Sequence, residues 1–350
     1  MNKSNLRLYT PIILVVILLL VSLACAESTS TDEPTINTAT PETEEQPEQL
    51  ETELIEEIPT NAPEPTEPLP TDTPEPEPTY LGDVVEKQGY LISAVAVEDP
   101  APPGMFYEPE TGKKLVAVEV IIGVNTGDPI SINPLDAILV DSEGFSYQLE
   151  LGGHDEQLAT TELFTGEKLR GWLAFQIPDE AIPAKVKYEI ESFSNNFMEA
   201  NLETPPDGYV PNTELLSINP PEPQAKLGDS YENFGYSLTA FSVEDPATPG
   251  MFYDPKVGYK LVAVDIAIGN ESGEYLSVNP LDARLVDSNG YVYTPELGGR
   301  DDQIATIDIG PGEKTRGWVA FTIQENASPY IIKYQVDMFT FNYLQTGVTE

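Results

Sequence analysis

The sequence predicts an all-β protein in which two tandem immunoglobulin-like antiparallel β-sandwiches follow a disordered linker. Three observations predict this class. The chain repeats itself with an offset of 146 residues, apolar residues within each copy alternate with a period of two, and no stretch keeps a helical period between capping residues. Because alternation places successive side chains on opposite faces of a strand, each copy can form sheets with one buried face.

The internal repeat sets the domain boundaries. Residues 81–83 match residues 227–229, and the alignment continues without a gap to residues 187–188 and 333–334, with about half of the positions identical. Since each copy has the size of an ordinary domain, we expect two tandem domains that each form their own core, and not a solenoid of small repeats. The predicted units are a lipoprotein signal peptide (1–24), a disordered Thr/Pro/Glu-rich tether (25–80), β-sandwich repeat 1 (81–203), a linker (204–226) and β-sandwich repeat 2 (227–350).

Strands are predicted from the alternating pattern, and turn residues separate them. In repeat 2 an aliphatic stripe on one face of a strand is expected to enter the core; its members are Val262, Val264, Ile266 and Ile268, on the same face as Lys260. Further strands are predicted at 236–243, 275–279, 283–286, 291–294, 303–309, 315–323 and 330–341. Turn chemistry at 141–144, 287–290 and 310–313 divides the pattern. Seven to nine short strands per copy favour a sandwich, and a barrel with the same strand number stays open.

The N-terminus has the layout of an export signal. Lys3 and Arg7 precede an apolar stretch over residues 11–24, and residues 22–25, Ser-Leu-Ala-Cys, resemble a bacterial lipobox. Cys25 is therefore predicted to carry the lipid, palmitate included, that holds the chain on a membrane in the cell envelope. A plain secretory signal and an uncleaved anchor helix are the alternatives, and both also place the domains outside the cytoplasm.

The net charge of the chain limits the classes of molecule that it can bind. The chain has 59 Asp and Glu residues against 17 Lys and Arg residues, which gives a formal net charge of −42. Such a charge repels phosphate backbones and attracts cations and basic partners, so nucleic acid is excluded as a partner. The tether adds to this charge, and its Thr, Pro and Glu residues cannot bury a core.

Several motifs resemble an uncharacterised bacterial extracellular domain. They are the strand 259–266 that leads to Gly269-Asn270, the Leu-Val-Asp-Ser-Asn-Gly-Tyr hairpin at 285–291, and the Pro-Gly-Glu turn at 311–313 before Gly-Trp-Val-Ala-Phe at 317–321. This family is common in lipoproteins and is related to the mycobacterial immunoprotective extracellular antigen. The resemblance covers nearly all of both copies and implies an immunoglobulin-like fold without an established activity. Repeat 1 departs from it at 164–167, where Phe-Thr-Gly-Glu replaces the Pro-Gly-Glu turn.

The sequence predicts that the protein is not an enzyme. Its only histidine, His154, is replaced by Arg300 in the other copy, so the copies cannot share a histidine-based mechanism. We expect His154 to lie on a solvated loop. Cys25 is the only cysteine, and its predicted place in the anchor excludes thiol chemistry in the domains.

Adjacent acidic residues are the weak candidates for a metal site, and no other cofactor is predicted. Asp155, Glu156, Asp301 and Asp302 offer the oxygen ligands that Ca²⁺ prefers. Their spacing matches no calcium-binding loop, and adjacent acids on loops are usually solvated.

The sharper prediction is an aromatic interaction surface in each repeat. On the strand at 315–323, Arg316 and Trp318 should face away from the core, and Arg170 and Trp172 repeat this arrangement. Four further candidates come from the loops that carry a Gly-Met-Phe-Tyr motif: Phe106, Tyr107, Phe252 and Tyr253. Such residues anchor interfaces with proteins, peptides or glycans, but the loops could instead cover the tryptophans and complete a secondary core. The sequence thus predicts a non-catalytic binding or adhesion module, with a structural envelope spacer or assembly protein and an acidic calcium-binding module as alternatives.

Overall fold

The computed structural model describes residues 79–105, 107–191, 194–251, 253, 256–337 and 340–349. The predicted signal peptide, Cys25 and the tether up to residue 78 lie outside these residues, as do Phe106 and Phe252. None of the described residues belongs to a helix with the length and apolar character needed to cross a bilayer.

Strands dominate both repeats. Repeat 1 contains β1 (Val85–Lys87), β2 (Tyr90–Glu98), β3 (Lys113–Val124), β4 (Ile130–Ile132), β5 (Ala137–Asp141), β6 (Ser146–Gln148), β7 (Thr161–Leu163), β8 (Lys168–Pro178), β9 (Pro183–Glu191) and β10 (Asn196–Asn201). Repeat 2 contains β11 (Ser230–Asn233), β12 (Tyr236–Glu244), β13 (Tyr259–Asn270), β14 (Leu276–Val278), β15 (Ala283–Asp287), β16 (Val292–Tyr293), β17 (Ile307–Ile309), β18 (Lys314–Gln324), β19 (Pro329–Gln335) and β20 (Tyr343–Gly347). Short 3-10 turns occur at Pro134–Asp136, Glu214–Leu216 and Pro280–Asp282.

Within the described residues, each repeat has two four-stranded antiparallel sheets and one two-stranded ribbon. The sheets of repeat 1 are β1-β2-β3-β8 and β10-β9-β5-β6, with the ribbon β4-β7. Those of repeat 2 are β11-β12-β13-β18 and β16-β15-β19-β20, with the ribbon β14-β17. Side chains from both sheets meet in one apolar core per repeat, so the predicted all-β class with two tandem sandwiches is confirmed.

The cores follow the predicted alternation, and one predicted strand is wrong. All four aliphatic residues of the predicted stripe on β13 are fully buried. The predicted strand 330–341 instead ends with β19 at Gln335, because the chain then reverses toward β20, with the Val336 N–H donating to the Asn342 carbonyl at 3.1 Å. No Gly or Pro marks this reversal.

The two repeats are docked against each other, a point that the sequence left open. Val286, Val292 and Ile331 of repeat 2 belong to the same buried apolar cluster as the core of repeat 1. At the junction, the Lys333 ammonium donates to both carboxylate oxygens of Glu167 at 2.9 and 2.8 Å. Only 2% of the Lys333 side chain and 4% of the Glu167 side chain are exposed.

Aromatic rings and further hydrogen bonds enclose this ion pair. The Lys333 ammonium lies 4.0 Å from the ring centroid of Phe164 and 4.9 Å from that of Tyr343. Burial lowers the pKa of Lys333, and the attraction of Glu167 opposes this shift. Beside the pair, Arg284 Nε donates to Thr161 Oγ1 at 2.7 Å.

The copies differ in character where they dock. Several docking residues have a less apolar equivalent in the other copy. The apolar residues at the junction and their equivalents are Leu169 and Thr315, Phe164 and Gly310, Val292 and Ser146, and Ile331 and Lys185. The ion pair itself has equivalents in Glu313 and Lys187, of which Glu313 is exposed and Lys187 is only half-buried. The outer ends of the two-repeat unit are therefore more polar than the junction at its centre.

The segment between the repeats packs into the same junction. The Lys168 ammonium donates to the backbone carbonyls of Leu216 and Ile218. Gly166, at φ +83°, lies so close to this segment that a Cβ atom there would be 2.1 Å from the Asn219 carbonyl oxygen. Only glycine fits this contact, which fixes the path of the segment at the junction.

Replacing Glu167 with Gln is expected to lower the free energy of unfolding by about 3 kcal/mol, because it leaves the Lys333 ammonium buried without its counter-charge. Glu313→Gln is the matched control. Glu313 accepts the Gly310 N–H at 2.7 Å, as Glu167 accepts the Phe164 N–H at 3.0 Å, but Glu313 is exposed. We expect the control to lose less than about 0.5 kcal/mol in urea unfolding. Equal losses in the two variants would contradict a stabilising role of the junction.

Candidate ligand-binding cleft between the repeats

A cavity of about 470 Å³ lies between the two repeats. Repeat 1 contributes residues of β3, of β8 and of the segment before β7. Repeat 2 contributes the start of β13, the end of β18, and the chain that surrounds β16. Five aromatic side chains line the cavity: Trp172, Tyr253, Tyr259, Tyr291 and Tyr293.

The backbone of β8 holds Trp172 in the wall of the cleft. Its N–H donates to the Glu156 carbonyl at 3.0 Å, and its own carbonyl accepts the Leu158 N–H at 2.8 Å. The neighbouring Gly171 permits this close approach, because a Cβ atom there would lie 2.6 Å from the Cα atom of Leu158. Trp172 and Arg170 project from the face of β8 opposite to the core, since side chains alternate along a strand.

A hairpin turn presents the tyrosines of the opposite wall. The buried Asp287 carboxylate accepts the N–H groups of Asn289 and Tyr291 at 2.8 and 2.9 Å, and the Tyr293 hydroxyl at 3.0 Å. Gly290 adopts φ +86°, the left-handed conformation that this predicted Asn-Gly turn requires. Burial raises the pKa of Tyr291 and that of Tyr259, so both phenols stay protonated beyond their ordinary range.

Charged groups of both signs line the cleft, and the two cations are paired. Arg170 binds Glu119 through two hydrogen bonds, Nε to Oε1 at 2.7 Å and Nη2 to Oε2 at 2.9 Å. Lys256 of repeat 2 reaches across to Glu156 of repeat 1 at 3.0 Å. These pairs position polar groups along the aromatic walls, in a cavity whose volume falls in the range of small-molecule sites.

The cleft brings together three of the predicted surface residues. Arg170, Trp172 and Tyr253 line it, although they come from different repeats. Arg316, Trp318 and Tyr107 do not line it. Arg316 instead binds Asp265, with Nη2 at 2.6 Å from Oδ2, and its guanidinium lies 3.8 Å from the ring centroid of Phe241.

Each predicted tryptophan also packs on a small secondary cluster behind the outer sheet face. Trp172 and Tyr107 pack on Ala101, Leu115, Ala117 and Ala174, and Trp318 and Tyr253 pack on Ala247, Leu261, Ala263 and Ala320. The tyrosines of the Gly-Met-Phe-Tyr loops therefore help to cover the tryptophans, which is the alternative arrangement that the sequence left open. Burial, with Glu150 nearby, raises the pKa of Tyr107 to about 12.

The prediction that His154 is a solvated loop residue is wrong. Its ring stacks on Trp172 with centroids 4.7 Å apart, and only 13% of its side chain is exposed. Its equivalent, Arg300, covers Trp318 with its guanidinium 3.9 Å from the ring centroid and also contacts Glu244. Both loops use a planar side chain to shield a tryptophan from water, which explains why these loop positions are buried.

The acidic candidates for a metal site have protein partners. Asp155 and Asp301 accept the N–H groups of Met105 and Met251 at 2.9 and 3.2 Å. Glu156 pairs with Lys256, and Asp302 pairs with Arg300. In the part of the chain that the structure describes, no group of three or more potential metal ligands gathers.

The sequence did not allow us to predict the wall of the cleft that repeat 2 contributes. Tyr259, Tyr291 and Tyr293 were predicted to lie in or beside strands, without a role at a site. The contrast between the copies could have found Tyr259, which replaces Lys113, but not Tyr291 and Tyr293, whose equivalents Phe145 and Tyr147 are also aromatic. The same contrast marks the junction, where Val292 and Ile331 replace Ser146 and Lys185. A face that is apolar in one copy alone must be covered by something that the other copy lacks.

A comparison with family models decides the family of both repeats. A model described as a domain of unknown function, DUF4352, matches residues 81–200 and again residues 225–342. The chain belongs to the DUF4352 family. Each sandwich is one DUF4352 domain, and the cleft lies between the two domains of a tandem pair. No curated protein matches the chain.

Solved structures with similar folds share little sequence with the DUF4352 pair. The candidate lipoprotein ycdA of Bacillus subtilis has 12% identity and a TM-score of 0.31, with 36% of this chain and 39% of that chain covered. The secreted protein MPT63 of Mycobacterium tuberculosis has 16% identity and a TM-score of 0.28, with coverage of 36% and 95%. The yjhA protein of Bacillus subtilis has 14% identity and a TM-score of 0.28, with coverage of 36% and 99%.

His154 shields one tryptophan and Arg300 shields the other. Giving each position the residue of the other copy is expected to change the free energy of unfolding in opposite directions. Glu98 Oε2 is buried without a hydrogen-bond partner among the described residues, and His154 Nε2 lies 3.8 Å away. In the His154→Arg variant the longer side chain should reach the Glu98 carboxylate, as Arg300 reaches Glu244. This contact should raise the free energy of unfolding by about 1 kcal/mol. Arg300→His should lower it by about the same amount. Urea unfolding at neutral pH measures both, and an unchanged or less stable His154→Arg variant would refute the explanation.

Proposed function

We propose that this protein is a lipid-anchored, extracytoplasmic binding protein whose tandem DUF4352 domains take up a ligand in the cleft between them. The ligand is a small molecule, or one unit of a longer peptide or glycan, because the cavity of about 470 Å³ is of small-molecule size. The protein is non-catalytic in this proposal, since the cations that line the cleft are already engaged by carboxylates.

The observation that carries the proposal is the aromatic lining of the cleft. Tyr and Trp supply large contact areas at a low cost in conformational entropy and are enriched at binding surfaces. Here two domains contribute them to one cavity, with Trp172 from repeat 1 and the tyrosines from repeat 2. A contact between domains that served stability alone would gain more from closing this space with apolar side chains.

The anchor is supported by the N-terminal sequence. Positive residues, an apolar stretch and Cys25 follow one another in the order that lipidation requires, and the acidic Thr/Pro/Glu segment that follows would hold the domains away from the membrane.

Cys25→Ser is expected to abolish acylation, because the hydroxyl cannot form the thioether through which the lipid is attached. Cells that produce the wild-type chain should incorporate labelled palmitate into it, and the variant should remain unlabelled. The double variant Ser28→Ala/Ser30→Ala, which keeps the cysteine and the lipobox, serves as the labelled control. Equal labelling of the Cys25→Ser variant would show that the chain is anchored in another way.

Binding in the cleft is tested with the two tryptophans of the chain as a matched pair. Calorimetry with purified cell-wall glycan fragments and oligopeptides should find at least one that binds. Trp172→Ala should weaken that binding by about tenfold or more, because it removes a wall of the cavity. Trp318→Ala, the equivalent change outside the cleft, should leave the affinity within about twofold.

Two results would count against the proposal. Equal losses in both tryptophan variants would place the binding surface outside the cleft. Failure of the whole panel to bind would instead favour the structural spacer, for which the docked repeats supply a rigid body.

A further inference from the structure

The charges that line the cleft do not balance. Its walls carry three carboxylates, those of Glu119, Glu156 and Glu296, and two cations, Arg170 and Lys256. Each cation is already bound to one of the first two carboxylates. The described contacts of the Glu296 carboxylate include no cation; it accepts the Thr322 hydroxyl at 3.0 Å. The walls of the cavity therefore carry one excess negative charge.

We propose that the cleft binds a small organic monocation with an alkylated ammonium group, of which the trimethylammonium group of choline is the simplest example. This inference rests on the proposed function, because it assumes that the cleft is the binding site. The ligand's positive charge would compensate the Glu296 carboxylate. Its methyl groups would lie against the tyrosine rings of repeat 2, because the Trp172 ring is already stacked with His154.

The aromatic lining favours such a cation over other ligands. The faces of Trp and Tyr rings are negatively polarised, and clusters of them recognise quaternary ammonium groups, whose charge is spread over an apolar surface. A metal cation such as Ca²⁺ needs six to eight oxygen ligands, and the described residues gather no such set. A neutral sugar could stack on the rings but would leave the negative charge uncompensated. An anion would be repelled by it.

The hydroxyl groups of the cleft add a means of orienting the ligand. The Tyr253 hydroxyl contacts the Thr322 hydroxyl, and Thr322 in turn donates to Glu296. This chain connects the uncompensated carboxylate to an aromatic wall. Burial raises the pKa of Tyr253, so its hydroxyl keeps its proton at neutral pH. A ligand that carries its own hydroxyl near the ammonium group could therefore bind at both points.

A pair of ligands that differ only in charge tests the proposal. Choline and 3,3-dimethylbutan-1-ol have the same shape, but the alcohol has a neutral tert-butyl group in place of the trimethylammonium group. We expect calorimetry on the full chain in a non-ionic detergent to detect choline binding. The alcohol should bind at least about tenfold more weakly.

Variants assign the effect to the cleft. Glu296→Gln should weaken choline binding by about tenfold and leave the binding of the alcohol unchanged, because it removes only the charge. Tyr259→Ala should weaken the binding of choline by a similar factor, because it removes an aromatic ring from the wall of the cleft. Glu150→Gln, the equivalent of Glu296→Gln in repeat 1, lies outside the cleft and should leave choline affinity unchanged.

The outcomes separate this inference from the proposed function. Equal affinities for choline and the alcohol would overturn the cation proposal, as would choline binding that Glu296→Gln leaves intact. If choline fails to bind while a neutral glycan fragment binds in a manner that depends on Trp172, the cation proposal falls and the cleft remains a binding site. If neither choline nor any member of the glycan and peptide panel binds, both proposals fall.

Discussion

The ion pair between Lys333 and Glu167 is the interaction on which the arrangement of the two domains depends. Removal of two charges from water is costly, and their attraction offsets that cost only when the geometry is good and the remaining polar positions are satisfied. Here the ammonium donates to both carboxylate oxygens, Glu167 also accepts a backbone N–H, and two aromatic rings face the ammonium. If the domains shift against each other, these groups lose their partners. The pair therefore favours one orientation, and the cleft exists only in that orientation.

Duplication has produced one asymmetric site from two similar domains. Trp172 and Trp318 occupy equivalent positions, pack on equivalent secondary clusters, and are each shielded by a residue from the same loop position. Trp172 lines the cleft and Trp318 does not, because the outer face of β8 is turned toward repeat 2. Equivalent residues thus perform different tasks, and the difference arises from their place in the pair rather than from their local structure.

The sequence allowed prediction of those features that depend on neighbouring residues. The alternation on β13 and the turn at 287–290 follow from local periodicity and turn chemistry, and the structure contains both. The docking of the two repeats could not be predicted from the sequence, because the Lys333–Glu167 contact joins residues 166 positions apart. In addition, each partner has an equivalent in the other copy that makes no such contact. The position of His154 was missed for the same reason, since its burial depends on a tryptophan of another strand. Comparison of the copies, such as Leu169 with Thr315, carries the information that a single copy lacks.

The polar outer ends of the two-repeat unit limit how far the docking contact can be repeated. A head-to-tail contact between two copies of one domain can in principle be repeated without limit, since each domain carries both halves of the contact. In this protein the half on repeat 2 has lost its apolar residues, as Thr315 and Gly310 show, and the half on repeat 1 carries Ser146 and Lys185. These outer ends therefore offer little of the apolar surface that joins the two repeats at their junction.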